Sequence, residues 1–349
     1  MGEKVLIKGN EAMAEAAIRN GCRFYFGYPI TPQNEVPAYI SKRMPQIDGT
    51  FIQSESEIAA INMVFGASAA GARVMTSSSS PGISLKQEGL SYLAGAQLPC
   101  VVANIQRGGP GLGNIGPAQG DYFQATKGGG HGDYHLIVLA PSTAQEMADL
   151  TYAAFDYADQ YRNPVMILGD ATVGQIMEAV TLPDFRKEPL PDKPWALTGA
   201  KNRKANIARS YFGKEGELLK NNIELQKKYS LIKKELVLYE EYQTQDAEWI
   251  FVAFGTSARI AKSIVNQFRE EGKKVGLIRP ITLWPFPQDI IAQYADTIKG
   301  YFVIEMNYGQ MLEDVKLAVS GKVPVEFYGI AAGFLPYELE IIERLKKLL

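Results

Sequence analysis

Arg73-Val74-Met75-Thr76, running into Ser77-Ser78-Ser79-Ser80-Pro81-Gly82, is the stretch whose reading decides the fold. The first four residues read as a strand. The serine, proline and glycine run reads as a turn that hands the chain to a new element. The same unit recurs on both sides. Upstream, Phe24-Tyr25-Phe26-Gly27-Tyr28-Pro29 reads as a short buried strand entering a proline-broken loop, and Glu57 to Ala72 as an apolar helix. The glycine and alanine content of that helix predicts close packing against another helix. The first helix is expected over Asn10–Arg19, capped by Asn10 and stopped by Gly21. Downstream, Cys100–Ile105, Leu136–Ala140 and Val165–Leu168 read as further buried strands. Such alternation predicts an α/β fold with a mostly parallel sheet covered on both faces, spanning residues 1–182.

Near residue 183 the composition changes. Residues 183–194 hold four prolines, Pro183, Pro189, Pro191 and Pro194, and read as an extended linker. Residues 215–245 read as a charged amphipathic helix with Leu218, Leu219, Ile223, Leu225, Tyr229 and Leu236 on one side, suited to capping or bridging domains. A second α/β unit is expected over 246–349. It has strands at Trp249–Thr256, Val275–Pro280 and Tyr301–Glu305, and a helix over Ala258–Glu271 stopped by Gly272.

Composition narrows the function classes. The 349 residues are 46% hydrophobic and 21% charged, with a formal net charge of −2. That balance offers no basic excess for nucleic acid or an anionic membrane. No apolar run is long enough to span a bilayer. The start, Met1-Gly2-Glu3-Lys4-Val5-Leu6, lacks the layout of a signal peptide, and a cytoplasmic location is the expectation. Cys22 and Cys100 are the only cysteines, and His131 and His135 the only histidines. Two distant cysteines cannot hold an iron–sulfur cluster, which needs four ligands. Both read as small buried hydrophobes, and no metal ligand set is expected in this chain.

In open parallel sheets, ligands sit at the carboxyl ends of strands. Four segments qualify: Tyr28–Pro32, Gln53–Glu57, Thr76–Gly82 and Gln106–Gly111. Glu57 opens the apolar helix and is the most informative residue, although a first-turn acid complementing the helix dipole is a common structural placement. Arg107 reads either as a substrate cation or as a structural arginine. Thr31 lies between two prolines and reads either as a ligand or as a turn residue. The serines before Pro81 suit a helix cap. Gly108–Gly113 and the glycine-dense Lys127–Gly132 lack the spacing of nucleotide-binding loops.

Taken in order, the strings Gly27–Pro32, Glu55–Met63, Ser79–Gly89, Arg107–Asn114, Lys127–Tyr134 and Glu305–Met311 resemble the alpha subunit of 2-oxoacid:ferredoxin oxidoreductases, most closely the branched-chain, 2-oxoisovalerate type. The resemblance covers nearly the whole chain and is weakest over 183–245. It implies a thiamine-diphosphate pyrimidine-binding domain (1–182), a linker with a charged helix (183–245) and a transketolase-C-terminal-like α/β domain (246–349). It implies that Glu57 hydrogen-bonds N1′ of the aminopyrimidine and is the catalytic acid. A carboxylate there favours the imino tautomer that deprotonates the weakly acidic C2. It further implies that Pro29, Ser80 and Gly82 join Glu57 in binding the cofactor. Thr31 and Arg107 are expected to bind the substrate, the arginine as a fork for the carboxylate.

The same family implies a divided enzyme. The usual Gly-Asp-Gly of a diphosphate and Mg²⁺ site is approached only by Gly169-Asp170-Ala171. Diphosphate and Mg²⁺ are therefore expected on a beta subunit. Iron–sulfur clusters are expected on a delta subunit, alongside a gamma subunit, with ferredoxin as electron acceptor and coenzyme A as acyl acceptor. The 2-oxoglutarate- and pyruvate-specific types remain open, since Lys86, Lys127 and Arg107 all lie near candidate loops. A self-sufficient thiamine enzyme and a non-catalytic nucleotide-binding module are the readings from other classes.

Overall fold

The apolar runs become strands for a simple reason. A central strand with both faces covered needs no polar alternation, and β4, β5 and β7 below are buried along their whole length. The computed structural model describes residues 4–349. Met1, Gly2 and Glu3, on which the N-terminal targeting reading partly rests, lie outside the described residues. In chain order the first elements are β1 (Lys4–Lys8), α1 (Gly9–Arg19), β2 (Phe24–Gly27), α2 (Glu35–Arg43), a 3-10 turn (Met44–Ile47), β3 (Thr50–Gln53), α3 (Glu57–Ala69), β4 (Val74–Ser78), α4 (Ser80–Gly95) and β5 (Cys100–Gln106). Then come α5 (Tyr122–Thr126), β6 (Ile137–Leu139), α6 (Ala144–Tyr161), β7 (Pro164–Asp170), α7 (Ala171–Gln175) and β8 (Met177–Thr181). After an irregular stretch follow α8 (Glu217–Glu235), β9 (Tyr239–Tyr242), β10 (Trp249–Val252), α9 (Gly255–Glu270), β11 (Val275–Pro280) and β12 (Thr282–Trp284). The chain closes with α10 (Gln288–Tyr294), β13 (Gly300–Glu305), α11 (Gln310–Val319), β14 (Val325–Gly329) and α12 (Glu338–Lys346).

The first sheet has seven strands in the order β12-β6-β7-β5-β4-β2-β3, and all pairs are parallel except β12 with β6. The second has five, β14-β13-β10-β11-β9, with β9 antiparallel at its edge. A small antiparallel pair, β1-β8, covers α1 and α6. Val101, Val102, Ile105, Val165 and Ile167 are fully buried in the first core, each contributing about 1.5–3 kcal/mol of apolar burial.

Several local expectations change. Strand β4 continues to Ser78 and α4 starts at Ser80, so the serine run is strand end and helix start with almost no turn between. Asn10 is not a cap. The helix begins at Gly9, and the buried Asn10 amide donates to Pro32 O and Glu35. The 215–245 helix ends at Glu235, and residues 239–242 form an edge strand of the second sheet. Leu218, Leu219 and Ile223 are exposed, while Leu225, Tyr229 and Ile232 are the residues that α8 buries. The helix lies on the first unit, with Gln226 donating to Asp133 O and Lys228 to Arg162 O.

The proline-rich stretch is strapped down. Lys193 pairs with Asp159 at 2.6 Å and Arg186 with Asp156 at 2.7 Å, and Leu197 N donates to Ala69 O. Both aspartates also hold the buried Arg73, at 2.6 and 2.8 Å. Breaking such a buried ionic group costs about 3–5 kcal/mol, so this stretch is held firmly against the first unit.

Two further ties join the units. Strand β12, from the second half of the sequence, extends the first sheet beyond β6. Gln119 accepts from Met306 N and Ser257 Oγ, and donates to Phe254 O. The string Glu305–Met311 is used here as well. Asn307 donates to Gln119 O, and the Glu305 carboxylate accepts from Met311 N and Leu312 N at the start of α11.

Candidate active site

Four neighbouring strands, β5-β4-β2-β3, end on the same side of the first sheet. The loops that follow them are the four segments singled out above. Strand β2 leads into Tyr28–Pro32, β3 into Ser54–Glu57, β4 into Ser79–Gly82 and β5 into Arg107–Gly111.

Glu57 is the first residue of α3. Ser56 caps the helix by accepting from Ala59 N at 3.2 Å, which fixes where the glutamate enters. The Glu57 side chain is 6% exposed, and among the described residues it has no hydrogen-bonded partner. Gly82 sits against it. A Cβ at Gly82 would lie 2.6 Å from Glu57 Oε1 and 2.1 Å from Ser78 Oγ. Only glycine permits this approach. Ser78 Oγ is itself buried without a hydrogen-bond partner. About two turns further along α4, Gly89 packs in the same way on Ile61, as the small-residue content of α3 predicts.

A second group lies beside the first through α4. The Arg107 guanidinium is buried and donates to Thr31 O at 2.9 Å and to Leu112 O at 3.0 Å, leaving Nε without a partner. Arg107 is thus both structural and chemically available, because two of its five donors are committed to carbonyls. The Thr31 hydroxyl is exposed and accepts from Asn34, so the threonine meets Arg107 through its backbone. Ser80 Oγ accepts from Arg107 N at 3.0 Å and donates to Asp121 at 2.6 Å. Asn104 also donates to Asp121 at 2.8 Å. Burial pushes the Asp121 carboxyl up, against the pull of these two hydrogen bonds. Pro29 is exposed on the β2 loop. The structure therefore brings Glu57 and Gly82 together, and Thr31, Arg107 and Ser80 together. Pro29 stands at the rim.

Sequence reasoning missed Asn104 and Asp121, which fix Ser80, and the chain Tyr25–Ser77–Gln33 beneath the β2 loop, with links of 2.6 and 2.5 Å. Nothing in their spacing signals these contacts. It also counted Lys86 among residues near open loops. Lys86 is fully buried and donates to Thr76 Oγ1 at 2.6 Å and to Ser77 O at 3.4 Å. Lys127 pairs with Asp314, away from Glu57's helix. His135 stacks on Trp284 with centroids 4.5 Å apart. Both cysteines are buried, and burial pushes each thiol up to about 12.

Asp170, in the one string near the Gly-Asp-Gly pattern, is occupied otherwise. Its Oδ1 accepts from Thr172 N, Val173 N and Thr256 Oγ1, and its Oδ2 from Thr256 N. It caps α7 and ties the two units together. Among the described residues no group of three His, Cys, Asp or Glu side chains is arranged to hold a metal ion. None of the described helices is long and apolar enough to cross a membrane.

Comparison with known proteins agrees with this layout. Residues 15–247 match the family "pyruvate flavodoxin/ferredoxin oxidoreductase, thiamine diP-bdg", and residues 247–341 match "pyruvate:ferredoxin oxidoreductase core domain II". Ketoisovalerate oxidoreductase subunit VorB of Methanothermobacter thermautotrophicus is 50% identical over 342 residues, 98% of this chain and 97% of that protein. A solved structure of 2-oxoglutarate:ferredoxin oxidoreductase from Magnetococcus marinus, with 2-oxoglutarate, coenzyme A and succinyl-CoA bound, superposes with a TM-score of 0.85 at 26% identity. That match covers 99% of this chain and 65% of the other. A split-gene transketolase shares the fold, with a TM-score of 0.62 at 12% identity over 98% of both chains. With residues 15–247 matching the thiamine-diphosphate-binding family and residues 247–341 matching core domain II, the chain belongs to the 2-oxoacid:ferredoxin oxidoreductase family.

Proposed function

We propose that this chain is the pyrimidine-activating alpha subunit of a CoA-dependent 2-oxoacid:ferredoxin oxidoreductase that acts on 2-oxoisovalerate. The observation that carries the reading is the buried, unpartnered Glu57 carboxylate held against the Gly82 cradle. A largely buried acceptor without a hydrogen-bond partner, beside an unpartnered Ser78 hydroxyl, suits the nitrogen edge of an aminopyrimidine. Thiamine diphosphate, when bound, supplies the nucleophilic carbon that attacks the 2-oxo group and takes up the electrons of decarboxylation. Glu57 would hold the aminopyrimidine and exchange a proton with it. Gly82 and Ser80 would shape that pocket, and Pro29 would border it.

Arg107 would take the substrate carboxylate with its free donors, and Thr31 would close the keto side of the pocket. A beta subunit would supply the diphosphate and Mg²⁺ half, and delta and gamma subunits would complete the complex. The clusters on delta would carry electrons to ferredoxin, with coenzyme A taking the acyl group in the cytoplasm. Apolar side chains exposed on the elements that carry the site, including Tyr28, Ile52, Ile58, Met63, Leu85 and Leu112, support a protein partner over the pocket. The preference for 2-oxoisovalerate rests on the 50% identical ketoisovalerate oxidoreductase subunit, against 38% for a 2-oxoglutarate synthase subunit of Methanocaldococcus jannaschii. The division at residues 182 and 245 into pyrimidine-binding domain, linker and transketolase-C-terminal-like domain belongs to the same proposal.

The test is Glu57→Gln in the purified complex. Turnover should fall at least a hundredfold while the subunits still co-purify. Near-natural turnover would refute the assignment of Glu57.

A further inference from the structure

Lys86 is a fully buried cation with neutral hydrogen-bond partners, Thr76 Oγ1 and Ser77 O. An ammonium taken out of water this way is unfavourable unless an opposite charge lies near. Its place in α4 supplies one. Lys86 stands four residues after Gly82, which abuts Glu57, and three before Gly89, which abuts Ile61. Residues at these spacings share one helix face, so Lys86 lies on the stripe of α4 that packs on the first turns of α3. The groups that bear on it electrostatically are Glu57 from α3 and Cys100 from β5. Strand β4 offers it Thr76 and Ser77, neither of them charged, and the Tyr25 phenol of β2 reaches only as far as Ser77. Burial holds the Cys100 thiol and the Tyr25 phenol protonated. Glu57 is thus the single anion facing Lys86.

We propose that Lys86 is a positioning residue for Glu57, a cation sealed behind the carboxylate whose charge holds it against the Gly82 cradle. The inference rests on reading Glu57 as the group that meets the aminopyrimidine. Burial lowers Lys86 to about 7, and the charge of Glu57 acts in the opposite direction. Lys86 therefore changes charge near neutrality, where an isolated surface lysine would not.

Two variants separate charge from shape. Lys86→Met keeps the volume and removes the charge. Lys86→Gln also removes the charge but keeps a polar contact to Thr76. In the purified complex, kcat/KM for the 2-oxoacid is measured across a pH series for both. Each should move the acid limb upward by about one pH unit, with the plateau rate reduced less than tenfold. A natural acid limb in either variant overturns the proposal.

Thermal unfolding of the full chain gives a readout independent of cofactor. Lys86→Met should raise the midpoint more in the Glu57→Gln background than in the natural one, because there it leaves no carboxylate without its counter-charge. Additive midpoints overturn the pairing. Non-additive midpoints in an enzyme that ignores thiamine diphosphate would keep the pairing and refute the functional reading instead.

Discussion

Replacing Gly82 by alanine adds one methyl group directly against the Ser78 hydroxyl and the Glu57 carboxylate. The new Cβ would fall 2.1 Å from Ser78 Oγ, 2.6 Å from Glu57 Oε1 and 3.0 Å from Glu57 Cγ. Ordinary contact begins near 3.5 Å, so the carboxylate or the helix must shift by about 1 Å. Overpacking of this size costs about 1–3 kcal/mol. Gly82 is in the first turn of α4, and alanine recovers up to about 1 kcal/mol there through helix propensity. Net stability should drop by at most about 2 kcal/mol, and the chain should fold. Catalysis is less forgiving, since a 1 Å displacement of a reacting group costs on the order of a hundredfold. The assay is turnover of the complex at saturating thiamine diphosphate, beside the thermal midpoint of the chain. Gly89→Ala is the control, because its Cβ would strike Ile61 at 2.5 Å, on the same helix pair but away from the carboxylate. Gly82→Ala should lose turnover with a small midpoint change, and Gly89→Ala should lose midpoint with a smaller change in turnover. Natural turnover in Gly82→Ala would show that the Glu57 cradle has no catalytic role.

Two other perturbations follow from the same structure. Arg107→Ala removes the free donors and also releases the carbonyls of Thr31 and Leu112. KM for the 2-oxoacid should rise about thirtyfold or more, on about 2 kcal/mol for a desolvated charge pair, and an unchanged KM would remove Arg107 from substrate binding. Glu15 is a test of the fold. Burial pushes its carboxyl up, but hydrogen bonds from Arg43 and Arg19 outweigh this and hold it below the ordinary range. Its contribution is present at neutral pH and is lost as pH falls through that lowered pKa. Glu15→Gln should therefore cost about 2 kcal/mol at pH 7, and the two chains should converge in stability in acid, as read by urea unfolding at several pH values.

Much of this architecture is legible in the chain because buried parallel strands and glycine-stopped helices announce themselves locally. The segment from Arg73 to Gly82 predicts a strand that hands over to a new element, although the expected turn is strand end and helix start, and Glu57 stands out as an acid opening an apolar helix. Other features depend on contacts that no periodicity carries. Thr282-Leu283-Trp284 is three residues long and follows β11 almost at once, yet it pairs with β6 in the other sheet. The prolines of 183–194 signal an irregular path, but not the aspartates 156 and 159 that fasten it. Asn10 has the chemistry of a cap, and its amide is drawn instead to Pro32 O and Glu35. Lys86 lies in the polar run Ser84-Leu85-Lys86-Gln87-Glu88, where a lysine ordinarily meets solvent. Only the packing of α4 on α3 turns it inward.

The most direct test of the central claim is CoA-dependent reduction of a viologen dye by the complex that co-purifies with this chain, run in parallel with 2-oxoisovalerate, 2-oxoglutarate and pyruvate. The account predicts thiamine-diphosphate-dependent turnover that is fastest with 2-oxoisovalerate. No co-purifying subunits and no turnover with any of the three acids would contradict it.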